Sequence, residues 1–305
     1  MTLCIAAECW EGDQPYIAMC CDTRAERGGI LQELVGSEDV DKIRTIGPVT
    51  ALLSGDETDA DELLTLCEGA IRTFAGGVPA DESDIAMTQF LSGLRQAAVI
   101  RKKTIVEHHL DMTISMSYDD FVRRHKSEFL ESHGREVWDH IRNINLGADI
   151  ILCGHCGGEP QLVRLDRFGR THWMTNYAVV GAGEDIAYVI LGQRDWENEK
   201  GESPGLLDCL YRIFEAKKSA QRNRHVGEST AFEILLPGGV RKDITDECFQ
   251  VMKLTYEARL RPPFFEGLSN CLRDFEEEKP EEEATTNSSP NTFVGRRKVH
   301  DEMPK

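Results

Sequence analysis

Nowhere in its 305 residues does the chain hold a run of about 18 apolar residues, so no helical membrane span of ordinary length is expected. The opening residues have neither a basic start nor an apolar stretch before Glu8, which argues against a secretory signal and for a cytoplasmic protein. Positive charge is in deficit. Against 53 Asp and Glu stand 35 Lys and Arg, and the net charge of −18 disfavours nucleic acid and anionic membrane as partners. The ten cysteines follow no regular framework and read as reduced thiols. No internal repeat and no parallel βαβ alternation is visible. No second ligand pair accompanies Cys153 and Cys156 at zinc spacing, and no cofactor is expected.

What is present suits one globular domain with decoration, since 40% of the residues are hydrophobic. Leu3 to Glu8 and Tyr16 to Cys21 read as strands of a hairpin whose turn is Glu11-Gly12-Asp13-Gln14-Pro15. Lys42 to Ile46 and Val49 to Leu53 form a second pair around Gly47-Pro48. A helix starting at Thr58 or Asp59 carries Leu63, Leu66, Cys67, Ala70, Ile71 and Phe74 on one face and ends at Gly76-Gly77. Helical patterns follow over Ile85 to Val106 and Asp119 to Ile141, with Glu107 to Ser117 between them as an insertion. Strands return at Ile150 to Cys153, Gln161 to Asp166 and Trp173 to Val180. Helices follow at Glu184 to Arg194 and Leu206 to Gln221, the latter with Leu206, Leu210, Ile213, Phe214 and Lys217 at helical spacing. A closing hairpin spans Thr230 to Leu236 and Val240 to Ile244, and Asp246 opens a last helix.

Antiparallel strand blocks each followed by helices predict an α+β fold of two sheets packed face to face with helices outside. The domain is expected over 1–273, with a helical insertion around 107–145. Asp274, Glu276, Glu277, Glu278, Glu281, Glu282 and Glu283, followed by polar residues, mark 274–305 as an acidic, disordered tail.

Three residues carry the chemistry of this reading. A hairpin centred on Gly12 sets Thr2 and Asp22 opposite each other at one end of a sheet, and a further antiparallel pairing brings Lys42 to the same end. The bland alternative is a terminal threonine beside a surface Asp22–Lys42 ion pair.

The opening Met1-Thr2-Leu3, Cys21-Asp22-Thr23-Arg24-Ala25, Asp41-Lys42-Ile43 and Ser54-Gly55 resemble the successive catalytic motifs of proteasome β-type subunits, a family of N-terminal-nucleophile hydrolases. Ile151-Leu152-Cys153-Gly154, Leu162 to Asp166 with Gly169, and Val180-Gly181-Ala182-Gly183 are similar to its later strands, in order to about Leu236. The first hairpin looks four residues longer than is usual there, an even change that keeps each side chain on its face.

The resemblance implies a four-layer αββα sandwich and a threonine-type amidohydrolase, a peptidase that uses Thr2 once Met1 is removed. The Thr2 hydroxyl would be the nucleophile and its own α-amine the base. Lys42 would lower the pKa of that amine, Asp22 would hold Lys42, and the Gly55 N–H would donate to the oxyanion. It further implies self-association into a ring or other homo-oligomer, a peptide substrate and an unfoldase partner.

Some positions depart from the family. Ala182 replaces the serine usual in the Gly-Ser-Gly turn, and the later acid and serine fall around Asn223 to Ser229, where His225, Glu228 and Ser229 are candidates. Glu26 stands near a substrate-facing position. These departures leave a catalytically silent ring subunit as an alternative. A third class, a thiol oxidoreductase, rests on Cys153-Gly154-His155-Cys156, although no helix start follows the motif to lower a thiol pKa. His108-His109 reads as exposed.

Overall fold

In the computed structural model residues 2–22, 24–27, 30–33, 42–47, 49–74, 87–124, 131–193, 196, 204–223, 225–227 and 229–258 are described. The expected acidic tail, the Gly76-Gly77 helix stop and Glu228 lie outside them, as does the Glu26 side chain.

Strand β1 (Leu3–Glu11) turns at Gly12 into β2 (Gln14–Asp22). Both are apolar along nearly their whole length, as strands covered on both faces must be. Alternation divides their side chains. Leu3, Ile5, Ala7, Cys9, Ala18 and Cys20 join a core beneath helices, whereas Cys4, Ala6, Ile17, Met19 and Cys21 join a core between two sheets. The first sheet has the order β10-β1-β2-β11-β12, with β10 (Tyr177–Gly181), β11 (Thr230–Leu235) and β12 (Arg241–Asp243).

The second sheet, β5-β6-β7-β8-β9, runs through β5 (Ile43–Ile46), β6 (Val49–Gly55), β7 (Ala148–Cys156), β8 (Glu159–Leu165) and β9 (Thr171–Met174). A small hairpin of β3 (Arg24–Arg27) and β4 (Ile30–Glu33), which the sequence reading does not include, separates the two pairs at the start of the chain.

Helices α1 (Glu57–Phe74) and α2 (Met87–Ile114) cover the outer face of the second sheet through Leu63, Cys67, Phe90, Leu94 and Ala97. Helices α5 (Glu184–Gly192), α6 (Leu206–Ala220) and α7 (Asp246–Ala258) cover the first. Helix α6 buries Leu206, Leu210, Ile213 and Phe214 on its sheet-facing stripe, each worth about 1.5–3 kcal/mol. The result is the four-layer αββα sandwich. Between α2 and β7, α3 (Tyr118–Arg124) and α4 (Glu131–Arg142) close a separate small core of Val106, Leu110, Phe121, Val137 and Ile144. Among the described residues no helix is long and apolar enough to cross a membrane.

Several local expectations change. The hairpin register pairs Cys4 with Cys21 and Glu11 with Gln14, so its axis falls between Gly12 and Asp13 and not on Gly12. Pro15 is therefore inside the ladder, opposite Trp10. The single strand expected over Trp173 to Val180 is two strands in different sheets. Asn176, at a left-handed φ of 70°, makes the break between them. Helix α2 continues through Glu107 and His108 to Ile114, because Val106 and Leu110 gain a core from α3 and α4 that a local sequence pattern does not show. Helix α1 starts one residue before Thr58, where the Asp56 carboxylate accepts from the N–H groups of Thr58 and Asp59.

Candidate active site

The start of β1, the end of β2, the residue before β5, the end of β6 and the turn after β10 meet at one end of the sandwich. Thr2 and Asp22 are each 1% exposed and Lys42 is 9% exposed. Lys42 Nζ donates to Thr2 Oγ1 at 2.6 Å and to Asp22 Oδ1 at 3.0 Å. Asp22 Oδ2 accepts from the Leu3 N–H at 3.0 Å and the Gly227 N–H at 3.1 Å. Three donors, one to Oδ1 and two to Oδ2, leave the carboxylate satisfied and fixed, the condition under which a buried charge is tolerated.

The one-residue change in register alters how these groups meet. By alternation Thr2 belongs with Cys4 and Ala6 toward the second sheet, whereas Asp22 belongs with Ala18 and Cys20 toward the helices. They are not side-by-side neighbours on one face. Lys42 enters from the second sheet and reaches both, so the bridge is made by the lysine and not by the hairpin.

The Thr2 backbone is held as firmly as its side chain. Its carbonyl oxygen accepts from the Ala182 N–H at 2.8 Å and the Ser54 hydroxyl at 3.0 Å, one donor from each sheet's side of the site. Gly181 pairs with Leu3 at φ +105°. A Cβ there would stand 1.6 Å from the Thr2 carbonyl oxygen and 2.4 Å from Ser54 Oγ, so only glycine fits.

Gly55 lies at the end of β6, directly after Ser54 and before α1. Its φ is +109°, and a Cβ would be 2.3 Å from the Gly147 carbonyl oxygen. Close passage of the 147–148 backbone, which also accepts the Asp56 N–H at 2.9 Å, accounts for glycine at this position. The hydroxyl that meets Thr2 from this segment is that of Ser54, to which the sequence reading gives no role.

Around Asn223 to Ser229 it is the backbone of Gly227 that reaches Asp22. The His225 N–H donates to Asn223 Oδ1, and Ser229 lines a cavity of about 470 Å³ with Lys218, Thr230, Phe232 and Phe249. Lys217, also without an assigned role in the sequence, donates from Nζ to the Gly227 carbonyl at 2.6 Å. Its signal was its place on the apolar stripe of α6, where a cation is out of pattern.

The Cys153-to-Cys156 motif lies within one strand, β7. Residues three apart on a strand point to opposite faces, and a rise of about 3.3 Å per residue separates them by about 10 Å, beyond the roughly 7 Å a disulfide spans. Cys153 is buried between the sheets, and burial pushes its thiol well up, with the Glu8 carboxylate adding to the shift. It is neither a thiolate nor paired with Cys156. His109 stacks on His140 of α4 with ring centroids 4.0 Å apart. Among the described residues no group of three or more His, Cys, Asp or Glu gathers as a metal site would need.

No family model matches the chain, and no curated protein sequence matches it. Among solved structures, an Anbu mutant from Hyphomicrobium sp. strain MC1 is similar at a TM-score of 0.51 and 15% identity, over 92% of this chain and 99% of that one. At that identity the likeness is one of fold. The chain therefore has a two-sheet αββα sandwich, a fold it shares with the Anbu structure.

Proposed function

We propose that the chain is a threonine-type amidohydrolase, a peptidase whose nucleophile is Thr2 after removal of Met1. The observation that carries this reading is the 2.6 Å contact between the Lys42 ammonium and the Thr2 hydroxyl, with Asp22 fixing the lysine from its other side. A buried cation against a hydroxyl favours the alkoxide, and near an α-amine it favours the neutral, basic form.

The steps follow from those groups. The freed α-amine accepts the Thr2 hydroxyl proton as Oγ1 bonds to the scissile carbonyl carbon, giving a tetrahedral oxyanion. Collapse breaks the C–N bond, the leaving amine takes the proton, and an ester remains on Thr2. Water, deprotonated by the same α-amine, then hydrolyses the ester and restores the free hydroxyl. In this reading the Gly55 N–H donates to the oxyanion, an effect worth about 3–4 kcal/mol where such a donor is removed.

The reading includes assembly of copies into a ring or other homo-oligomer, which sedimentation at micromolar concentration tests. A second reading, a catalytically silent ring subunit, is favoured by one observation. Ala182 donates its N–H to the Thr2 carbonyl and has no hydroxyl to support the amine. Intact-mass measurement of the full chain, combined with hydrolysis of a panel of fluorogenic peptides, separates the two. Loss of Met1 with turnover supports the peptidase, and retention of Met1 without turnover supports the silent subunit.

A further inference from the structure

Lys217 is 1% exposed and stands on α6 beside Leu210, Ile213 and Phe214, on the stripe that packs against β1 and β2. An apolar residue would continue that stripe at no cost, whereas an ammonium there must be taken out of water. Local rules broken in this way concentrate at functional sites.

Its surroundings point to the Thr2 site. Nζ donates to the Gly227 carbonyl at 2.6 Å, and the N–H of the same residue donates to Asp22 Oδ2 at 3.1 Å. Asp22 thus meets Lys42 from the second sheet and, through the Gly227 backbone, Lys217 from the helix layer. Among the described residues, the titratable groups around Lys217 are Asp22, Cys20 and Cys21 of β2 and Lys218 of its own helix. Burial brings the lysine down to about 8, outweighing the attraction of Asp22, so most of it is charged at pH 7.

We propose that Lys217 is a positioning residue of the Thr2 site. It clamps the Gly227 segment that holds Asp22, and it adds a second buried positive charge that keeps the Thr2 amine neutral. Among the described residues, one carboxylate between two ammonium groups leaves the site net positive, which disfavours protonation of a neighbouring amine. The inference rests on the reading of Thr2 as nucleophile.

The test is the rate at which a peptidyl vinyl sulfone labels Thr2 in the full chain between pH 5.5 and 9, with mass mapping of the adduct. Lys217→Met fills the slot without a charge or a donor, and Lys217→Gln keeps a donor for Gly227 while removing the charge. Labelling at pH 7 should fall about tenfold in Lys217→Met, equivalent to one pKa unit. The acid limb of the profile should move up by about 0.5–1 pH unit in both variants. Lys217→Gln should lose less rate than Lys217→Met, because the clamp survives.

Wild-type rates with an unmoved limb in both variants would overturn the proposal and leave the nucleophile reading standing. A rate loss without a shift of the limb, or failure of both variants to fold by circular dichroism, would make Lys217 a structural residue and equally overturn it. Absence of any Thr2 adduct in the wild type would sink the nucleophile reading and this inference with it.

Discussion

The ammonium of Lys42 lies 2.6 Å from the Thr2 hydroxyl although one residue leads into the second sheet and the other opens the first. The two sheets are thus joined at this end by a polar contact, while Cys4, Ile43, Leu52 and Ile151 pack between them nearby. A change at either residue removes that hydrogen bond and alters the sheet-to-sheet junction together.

Substitutions should rank accordingly. Thr2→Ala is expected to abolish hydrolysis, and Thr2→Ser should keep part of it because hydroxyl and amine both survive. Lys42→Ala should lose about 10²–10³ in kcat, and Lys42→Arg should fare little better in a space fitted to a compact ammonium. Asp22→Asn should fall between, since the single amide oxygen can still accept from the Leu3 and Gly227 N–H groups while Lys42 loses its charged partner and the nucleophile stays intact. Fluorogenic peptide kinetics on folded variants decide the order, and an active Thr2→Ala would contradict the mechanism.

Gly181→Ala should be far more damaging than its size suggests. Its Cβ would overlap the Thr2 carbonyl oxygen, and φ of +105° is strained for alanine. A loss of about 3 kcal/mol or more in unfolding free energy is expected. Gly69→Ala, on α1 where a Cβ meets nothing within 4 Å, should instead be neutral or stabilising by about 0.5–1 kcal/mol. Urea unfolding of the pair gives the comparison, and equal effects would count against this placement of Gly181.

Glu8 predicts a pH dependence. Burial, opposed by the Asn176 N–H and reinforced by Glu159, pushes its carboxyl from 4.5 up to about 7. Between those values the folded chain binds more protons than the unfolded one, so this group's contribution to stability is full below about 4.5 and is lost as pH rises through 7. Glu8→Gln should match the wild type near pH 4 and be more stable by about 1–2 kcal/mol at pH 8, a figure reduced for partial solvent screening. A difference that does not change with pH would refute the assignment.

The cysteines give a simpler expectation. A maleimide applied to the native protein should modify the half-buried Cys156 before the buried Cys153, and neither modification nor reductant should alter Thr2 labelling. Peptide mapping reads the order, and an oxidised Cys153–Cys156 pair would contradict their opposite orientation on β7.

Layer architecture was legible because the short apolar run of Leu3 to Ala7 and the three-and-four spacing of Leu206 to Lys217 are local records of what each element touches. Thr2, Asp22 and Lys42 were legible as a group, but not how they meet. A shift of half a residue in the turn axis moved Asp22 to the other face, and turn geometry of that kind is weakly encoded by Gly12-Asp13 alone. Ser54, Gly181 and Gly227 act through a hydroxyl or through backbone at tertiary contacts with no periodic signature. Lys217 did carry a signal, a charge inside an apolar stripe, which helical spacing by itself treats as tolerable. The division of Trp173 to Val180 between two sheets depended on one positive φ at Asn176.

Strand β11 pairs with β2, and Gly227 just before it holds an Asp22 that lies 205 positions earlier. During synthesis, at about 5–20 residues per second, the ribosome has thus released the threonine roughly 10–40 s before the partner that fixes its aspartate exists. The nascent chain therefore cannot complete the setting of Thr2 until the last strands of the first sheet emerge. If Thr2 is the nucleophile proposed above, order of translation keeps the unfinished polypeptide chemically quiet.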